Sequence, residues 1–188
     1  VSISSVTASS TVTKVYDGNT TVKQTYTASI SGVLNGDKVT YTFSSASYDN
    51  ANVGTGKTVN VKFAVSGADK DNYSCQTSTT TKGEITAAGV TLTVDANKTV
   101  VYGATATVSY KSNVAGTFTI TSNSTEFVTV ATGYTTSAAA NTAYTFTING
   151  VKAGSGKITV AFKPTSGNYS TPASKTVSVT VDRATITN

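Results

Sequence analysis

Three segments of this chain carry residue types that could do chemistry. They are the Gly-Lys run Ala51-Asn52-Val53-Gly54-Thr55-Gly56-Lys57-Thr58, the acid pair in Asp69-Lys70-Asp71-Asn72, and the single thiol of Cys75. The first meets a relaxed phosphate-loop pattern, with Ala where the leading Gly belongs. A phosphate loop works because its glycines open a helix whose N-terminal amides cradle the anion. Here Thr58-Val59-Asn60-Val61-Lys62-Phe63 alternates as a strand, so the run reads as a turn, built on Gly54 and Gly56, followed by an exposed Lys57. Asp69 and Asp71 offer the hard oxygens that calcium takes and are the metal candidates. The thiol has no His to activate it, because the chain contains none. That inventory excludes Ser-His-Asp and Cys-His nucleophiles and leaves no ligand set for zinc. The nine Asp and Glu residues are scattered, whereas a glycosidase faces two carboxylates across a cleft. Lys, Asn and an assisting acid could form a covalent cross-link, but no spacing singles out a triad. The expectation is a chain without catalytic residues and without a cofactor.

The composition says what kind of scaffold holds these residues. Of 188 residues, 38% are hydrophobic and 12% charged, the latter about half the usual share. Thr and Ser supply the missing polarity. Thr and Val branch at Cβ, which restricts χ1 and suits a pleated surface, so the chain should be almost wholly β. The net charge of +5 raises nucleic acid as a partner. The lysines are dispersed singly and the one arginine is Arg183, whereas a nucleic-acid surface gathers its cations with aromatics between them. Nucleic-acid binding and membrane insertion are therefore not expected; no window approaches the length of an apolar transmembrane span. A chain opening at Val1 without Met reads as a piece of a longer parent, monomeric when isolated.

The chain repeats itself. The run Val53-Gly54-Thr55-Gly56-Lys57 aligns with Ala153-Gly154-Ser155-Gly156-Lys157, an offset of 100 (57 to 157). Asp71-Asn72-Tyr73-Ser74 aligns with Gly167-Asn168-Tyr169-Ser170, and Lys14-Val15-Tyr16-Asp17-Gly18 with Val100-Val101-Tyr102-Gly103. Landmarks in the same order imply two homologous modules, placed at 1–86 and 87–188, with 185–188 as the start of a further copy. Alternation and turn residues predict strands at 12–15, 26–30, 39–43, 58–65 and 79–85 in the first module. In the second they fall at 90–94, 105–110, 117–121, 127–130, 144–148, 158–162 and 176–181. About seven short strands per hundred residues is the count of an immunoglobulin-like β-sandwich, so the fold expected is two such sandwiches in tandem. Tyr73 and Tyr169 each follow a turn and open a late strand. Each reads as a tyrosine corner, its hydroxyl bonded back to upstream backbone.

The first module resembles the YDG repeat of bacterial surface and secreted adhesin-like proteins. The resemblance is carried by Thr13-Lys14-Val15-Tyr16-Asp17-Gly18-Asn19-Thr20 and Val33-Leu34-Asn35-Gly36-Asp37-Lys38-Val39, then by Asn52 to Val59 and Ser66 to Tyr73. The second module looks like a more divergent bacterial immunoglobulin-like relative. The resemblance implies extracellular, cell-surface tandem arrays with a spacer or adhesion role, whose partners are neighbouring repeats of the same polypeptide. It carries over no catalytic residues, and its Tyr16-Asp17-Gly18 motif reads as structural, a core tyrosine and a turn. Two alternatives stay open: a module binding a glycan or host protein, and an accessory region of a secreted polysaccharide-active enzyme.

Overall fold

The computed structural model describes residues 2–3, 11–28 and 30–186. It is an all-β fold, and the chain divides into two compact units, Val1–Ala88 and Gly89–Asn188. The residues 187–188 of the further copy expected at the end lie outside the described residues.

The first unit contains β1 (Ser2–Ile3), β2 (Val12–Val15), β3 (Thr40–Tyr48), β4 (Gly54–Ser66), β5 (Ser74–Cys75) and β6 (Ser78–Thr86). Its main sheet has the order β2-β6-β4-β3, with β2 parallel to β6 and the other pairs antiparallel; β1 and β5 pair separately. Along β4 the residues Lys57, Val59, Val61 and Phe63 are buried while their neighbours are more exposed. This is the period-two pattern of a sheet with one face dry. The dry face is covered by the long connection between β2 and β3, which places Val22 and Tyr26 in the core beside Tyr48, Val59 and Ile85. The strand expected at 26–30 does not form in its described residues. Tyr26 is buried all the same, with its ring 5.9 Å from that of Phe43. Alternation there reports burial, which a side chain achieves without a ladder partner.

The second unit contains β7 (Leu92–Val94), β8 (Lys98–Val101), β9 (Thr105–Ser112), β10 (Gly116–Ser122), β11 (Val128–Val130), β12 (Ser137–Ala138), β13 (Ala143–Gly150), β14 (Gly154–Pro164) and β15 (Lys175–Asp182). They form two sheets, β12-β10-β14-β15-β8 and β11-β13-β9-β7. One core joins them, with Val108, Tyr110, Phe146 and Ile148 from one sheet and Phe118, Ile158, Val160 and Val177 from the other. Each such side chain contributes about 1.5–3 kcal/mol on burial. Tyr110 packs edge-on against Phe118 at 4.6 Å between ring centres, a favoured arrangement because ring edges are positive and faces negative.

Each unit contains a ladder of the same order. In the first it runs β2-β6-β4-β3, in the second β8-β15-β14-β10, and in each the second strand of the unit is parallel to the closing one. Phe43 faces Phe63 across the first ladder, and Phe118 faces Phe162 across the second. The offset of 100 read along the sequence holds at Gly54 and Gly154, which pair with Ile85 and Val181. It then falls to 99 (63 to 162). A β-bulge between Gly54 and Lys57 inserts one residue into β4, with Gly56 at φ +62, a left-handed conformation that favours glycine.

Candidate functional site

The Tyr-Asp-Gly turn of the first unit is organised by a residue that reads, in the sequence, as one more dispersed cation. The Lys14 ammonium donates to Asp17 Oδ1 at 2.6 Å, Asn19 O at 2.8 Å, Asn19 Oδ1 at 3.0 Å and Thr21 O at 3.3 Å. Asp17 Oδ1 also accepts from the Asn19 N–H at 3.1 Å, and Asn19 Oδ1 from the Thr21 N–H at 2.9 Å. These are Asx turns, in which a short side chain stands in for a backbone carbonyl. Gly18 takes φ +80 between them. The Lys14 ammonium, then the Asn19 N–H, hold the Asp17 carboxyl below its ordinary range. The signal that could have found this site is local: Lys14 stands three residues before Asp17. Tyr16 itself is half-buried against the core. Beside the turn runs a groove of about 380 Å³ between the edge strand β2 and Thr21, Val22 and Lys23, with Tyr48 in its wall.

Lys57 is not the exposed lysine expected. It is 9% exposed, because the bulge at Gly56 turns its side chain to the inner face of β4. Its ammonium reaches Asn50 Oδ1 at 2.7 Å and Asp49 Oδ1 at 3.2 Å. An amine, an amide and an acid meet here, the ingredients of a Lys–Asn cross-link. Burial raises the Asp49 carboxyl, but bonds from Lys57 and from the Asn50 and Thr58 amides outweigh it and hold it low. Lys57 and Asp49 thus form an ion pair, with Asn50 as the ammonium's second partner. The residue facing the equivalent ladder position in the second unit is Gly156. A Cβ there would stand 2.6 Å from Val128 Cγ1, so Val128 fills the space that Lys57 fills in the first unit. Gly154 sits at φ +149, with its missing Cβ replaced by the ring of Phe127.

The Tyr73 hydroxyl bonds upstream, but much farther than a local corner would. It accepts from the Leu34 N–H at 2.9 Å and donates to Asp37 Oδ2 at 2.6 Å, closing the turn Leu34-Asn35-Gly36-Asp37 onto the end of the sheet. Asp69 Oδ2 accepts from the Lys38 N–H at 2.8 Å, and Asp71 pairs with Lys70 at 2.6 Å. The two calcium candidates thus serve a backbone amide and a lysine. Among the described residues, no three of His, Cys, Asp and Glu gather into a metal-binding group. Tyr169 is half-buried against the core of its unit, at the end of a turn in which its N–H bonds Ser166 O at 3.3 Å. Cys75 lies half-buried in β5 with Sγ 3.8 Å from Tyr73 O.

Tyrosine hydroxyls elsewhere serve as ties. Tyr48 OH bonds Val12 O at 2.9 Å and Glu84 O at 3.0 Å, Tyr110 OH bonds Thr135 O at 2.5 Å, and Tyr134 OH bonds Ile120 O at 3.3 Å. The Lys14–Tyr16–Asp17–Gly18 turn, the Leu34–Asp37 turn and the Gly54–Lys57 bulge lie in one continuous segment, which is similar to a known family. Residues 3–82 match the YDG domain. No curated protein matches the chain. Among solved structures, S-layer protein SbsC domains 4 and 5 align over 94% of this chain and 98% of that one, at 21% identity and TM-score 0.44. Domains 4–9 of the same surface layer protein align over 96% of this chain and 30% of that one, at 20% identity and TM-score 0.46. The I9–I11 tandem of titin aligns over 94% and 66%, at 12% identity and TM-score 0.33. At these scores the likenesses carry no functional argument.

Proposed function

We propose that this chain is a non-catalytic, load-bearing segment of a bacterial cell-surface or secreted protein, a stalk that gives reach in adhesion. It comprises two tandem immunoglobulin-like modules, of which the second is a divergent relative of the first. The observation that carries this reading is that the second strand of each unit, β2 or β8, pairs in parallel with the closing strand, β6 or β15. Tension that reaches these two strands from the two ends of the unit drives them past each other along their length. The ladder bonds between them are then loaded together in shear instead of being opened one by one. Rupture under force is governed by the barrier to unfolding, and a ladder that must break as a group raises it. Tyr16 N–H to Thr86 O at 2.9 Å extends the first such ladder, and Tyr102 N–H to Asp182 O at 2.8 Å the second.

The surface location is supported by the YDG match together with a Thr- and Ser-rich, weakly charged composition. No described helix is long and apolar enough to cross a membrane. A stalk is favoured over a glycan- or protein-binding module because Tyr48, Tyr110 and Tyr134 tie their hydroxyls to backbone carbonyls, which leaves Tyr102 as the exposed tyrosine among the described residues. The test is to label intact cells of the producing bacterium with antibodies to the chain, and to screen the purified chain against glycan and matrix-protein panels. Surface labelling without saturable binding is expected. Saturable binding that is lost on replacing the exposed Tyr102 would make the chain an adhesive tip instead.

A further inference from the structure

The chain contains two Asn-Gly pairs and one Asp-Gly pair, and the fold treats them very differently. Glycine after Asn or Asp leaves the following backbone nitrogen sterically open, which is the condition for that nitrogen to attack the side-chain carbonyl. Asp17-Gly18 is held: Asp17 Oδ1 is fixed by the Lys14 ammonium at 2.6 Å and the Asn19 N–H at 3.1 Å. The carboxylate stays ionised and is a poor electrophile. Asn149-Gly150 is also held. Both residues lie in β13, the Gly150 N–H donates to Ala104 O at 3.0 Å, and Asn149 Nδ2 donates to Thr129 Oγ1 at 3.2 Å. Gly150 is walled in, with a Cβ there only 2.8 Å from Val101 O.

Asn35-Gly36 is neither fixed nor covered. Both residues are exposed at the tip of a turn, which is closed by the flanking bond from Asp37 N–H to Leu34 O at 3.1 Å. That bond leaves the Gly36 N–H outside it. Gly36 adopts φ +97, and nothing lies within 4 Å of where its Cβ would be, so the main chain can swing toward the Asn35 side chain. We propose that Asn35 is a spontaneous modification site at which the YDG module ages. The Gly36 nitrogen gives up its proton and bonds to Asn35 Cγ. The Cγ–Nδ2 bond breaks, and ammonia leaves carrying that proton. Water then opens the resulting succinimide at either carbonyl, leaving an aspartate at this position or its isoaspartyl isomer, with no redox change. The isoaspartyl form adds a carbon to the main chain between the Leu34 amide and the Asp37 carboxylate, the two groups that Tyr73 OH holds together.

The test holds the purified full chain at mildly alkaline pH, samples it over days and maps its peptides by mass, with an isoaspartate-specific methylation assay alongside. The peptide carrying Asn35 should gain the amide-to-acid mass shift several-fold faster than the peptide carrying Asn149. In urea-unfolded chain the two rates should converge, because only the fold distinguishes them. Asn35→Gln, an exposed and conservative change, should abolish the signal at that peptide and leave the circular dichroism unaltered. An unmodified Asn35 in the folded chain, or an Asn149 that converts as fast, would overturn the proposal.

Discussion

Individual side chains in this chain act mainly by tying backbone, and each tie makes a measurable claim. The buried Tyr48 hydroxyl bridges Val12 O on β2 and Glu84 O on β6, joining the two parallel strands from below. Tyr48→Phe should lower stability by about 1 kcal/mol, the net worth of a buried hydrogen bond whose carbonyl acceptors keep other partners. Denaturant titration at unchanged slope would verify it. Buried tyrosine hydroxyls, tied or not, fix the alkaline limb of stability. Burial, followed by contact with Cys75, pushes the Tyr41 hydroxyl up to about 12, and burial likewise raises Tyr26, Tyr48 and Tyr110. Between the ordinary tyrosine value near 10 and the raised ones, the unfolded chain has lost protons that the folded chain retains. Stability is therefore expected to be full below about pH 10 and to fall as pH rises toward about 12. On the acid side the signs reverse. Asp17, held low by Lys14, and Asp95, held low by the Ser109 N–H and then Lys98, stabilise the fold above the ordinary carboxylate range. That contribution is lost as pH falls through their depressed values. A pH series of melting temperatures tests both limbs, and a flat alkaline limb would contradict the burial of these hydroxyls.

Elements show which parts of this fold are legible in the residues. Strands β4, β6, β10, β13, β14 and β15 each carry long period-two alternation, which places them within a few residues. β8 escapes a reading by pattern, because Lys98-Thr99-Val100-Val101 is too short to alternate and gains its place from β15. The strand expected at 26–30 fails for the opposite reason, as alternation satisfied by burial alone. The ladder slip at Gly56 is invisible in the sequence because an ungapped alignment of Gly-x-Gly-Lys absorbs one inserted residue without a mismatch. It matters, since it decides that Lys57 points inward and Lys157 outward. Lys14 escapes notice because its role depends on a turn bringing Asn19 and Thr21 around one ammonium. Close packing supplies a sharp test at this scale. A Cβ on Gly83 of β6 would lie 2.7 Å from Tyr48 Cε1, 2.9 Å from Val12 O and 2.9 Å from Val59 Cγ2. Gly83→Ala should therefore cost about 1–3 kcal/mol through overpacking, whereas alanine at an open glycine with ordinary φ, Gly89, should cost little. Paired thermal melts of the two variants would separate these outcomes.

The two units repeat one ladder order, and the repeat is preserved where sequence identity is not. The Tyr-Asp-Gly landmark of the first unit becomes Tyr102-Gly103 in the second, and the ion pair at Lys57 gives way to Val128 packed over Gly156. What persists is the parallel ladder of β2 with β6 and of β8 with β15, and the antiparallel neighbours that back it. The most direct test stretches single molecules of the full chain from its two ends. Two discrete rupture events are predicted, each releasing hidden chain at about 3.3–3.6 Å per residue. Tyr102→Pro deletes the N–H that bonds Asp182 O, since proline has none, and should lower the force of one event while leaving the other in place. Smooth extension at low force, or rupture forces indifferent to Tyr102→Pro, would contradict a shear-loaded stalk.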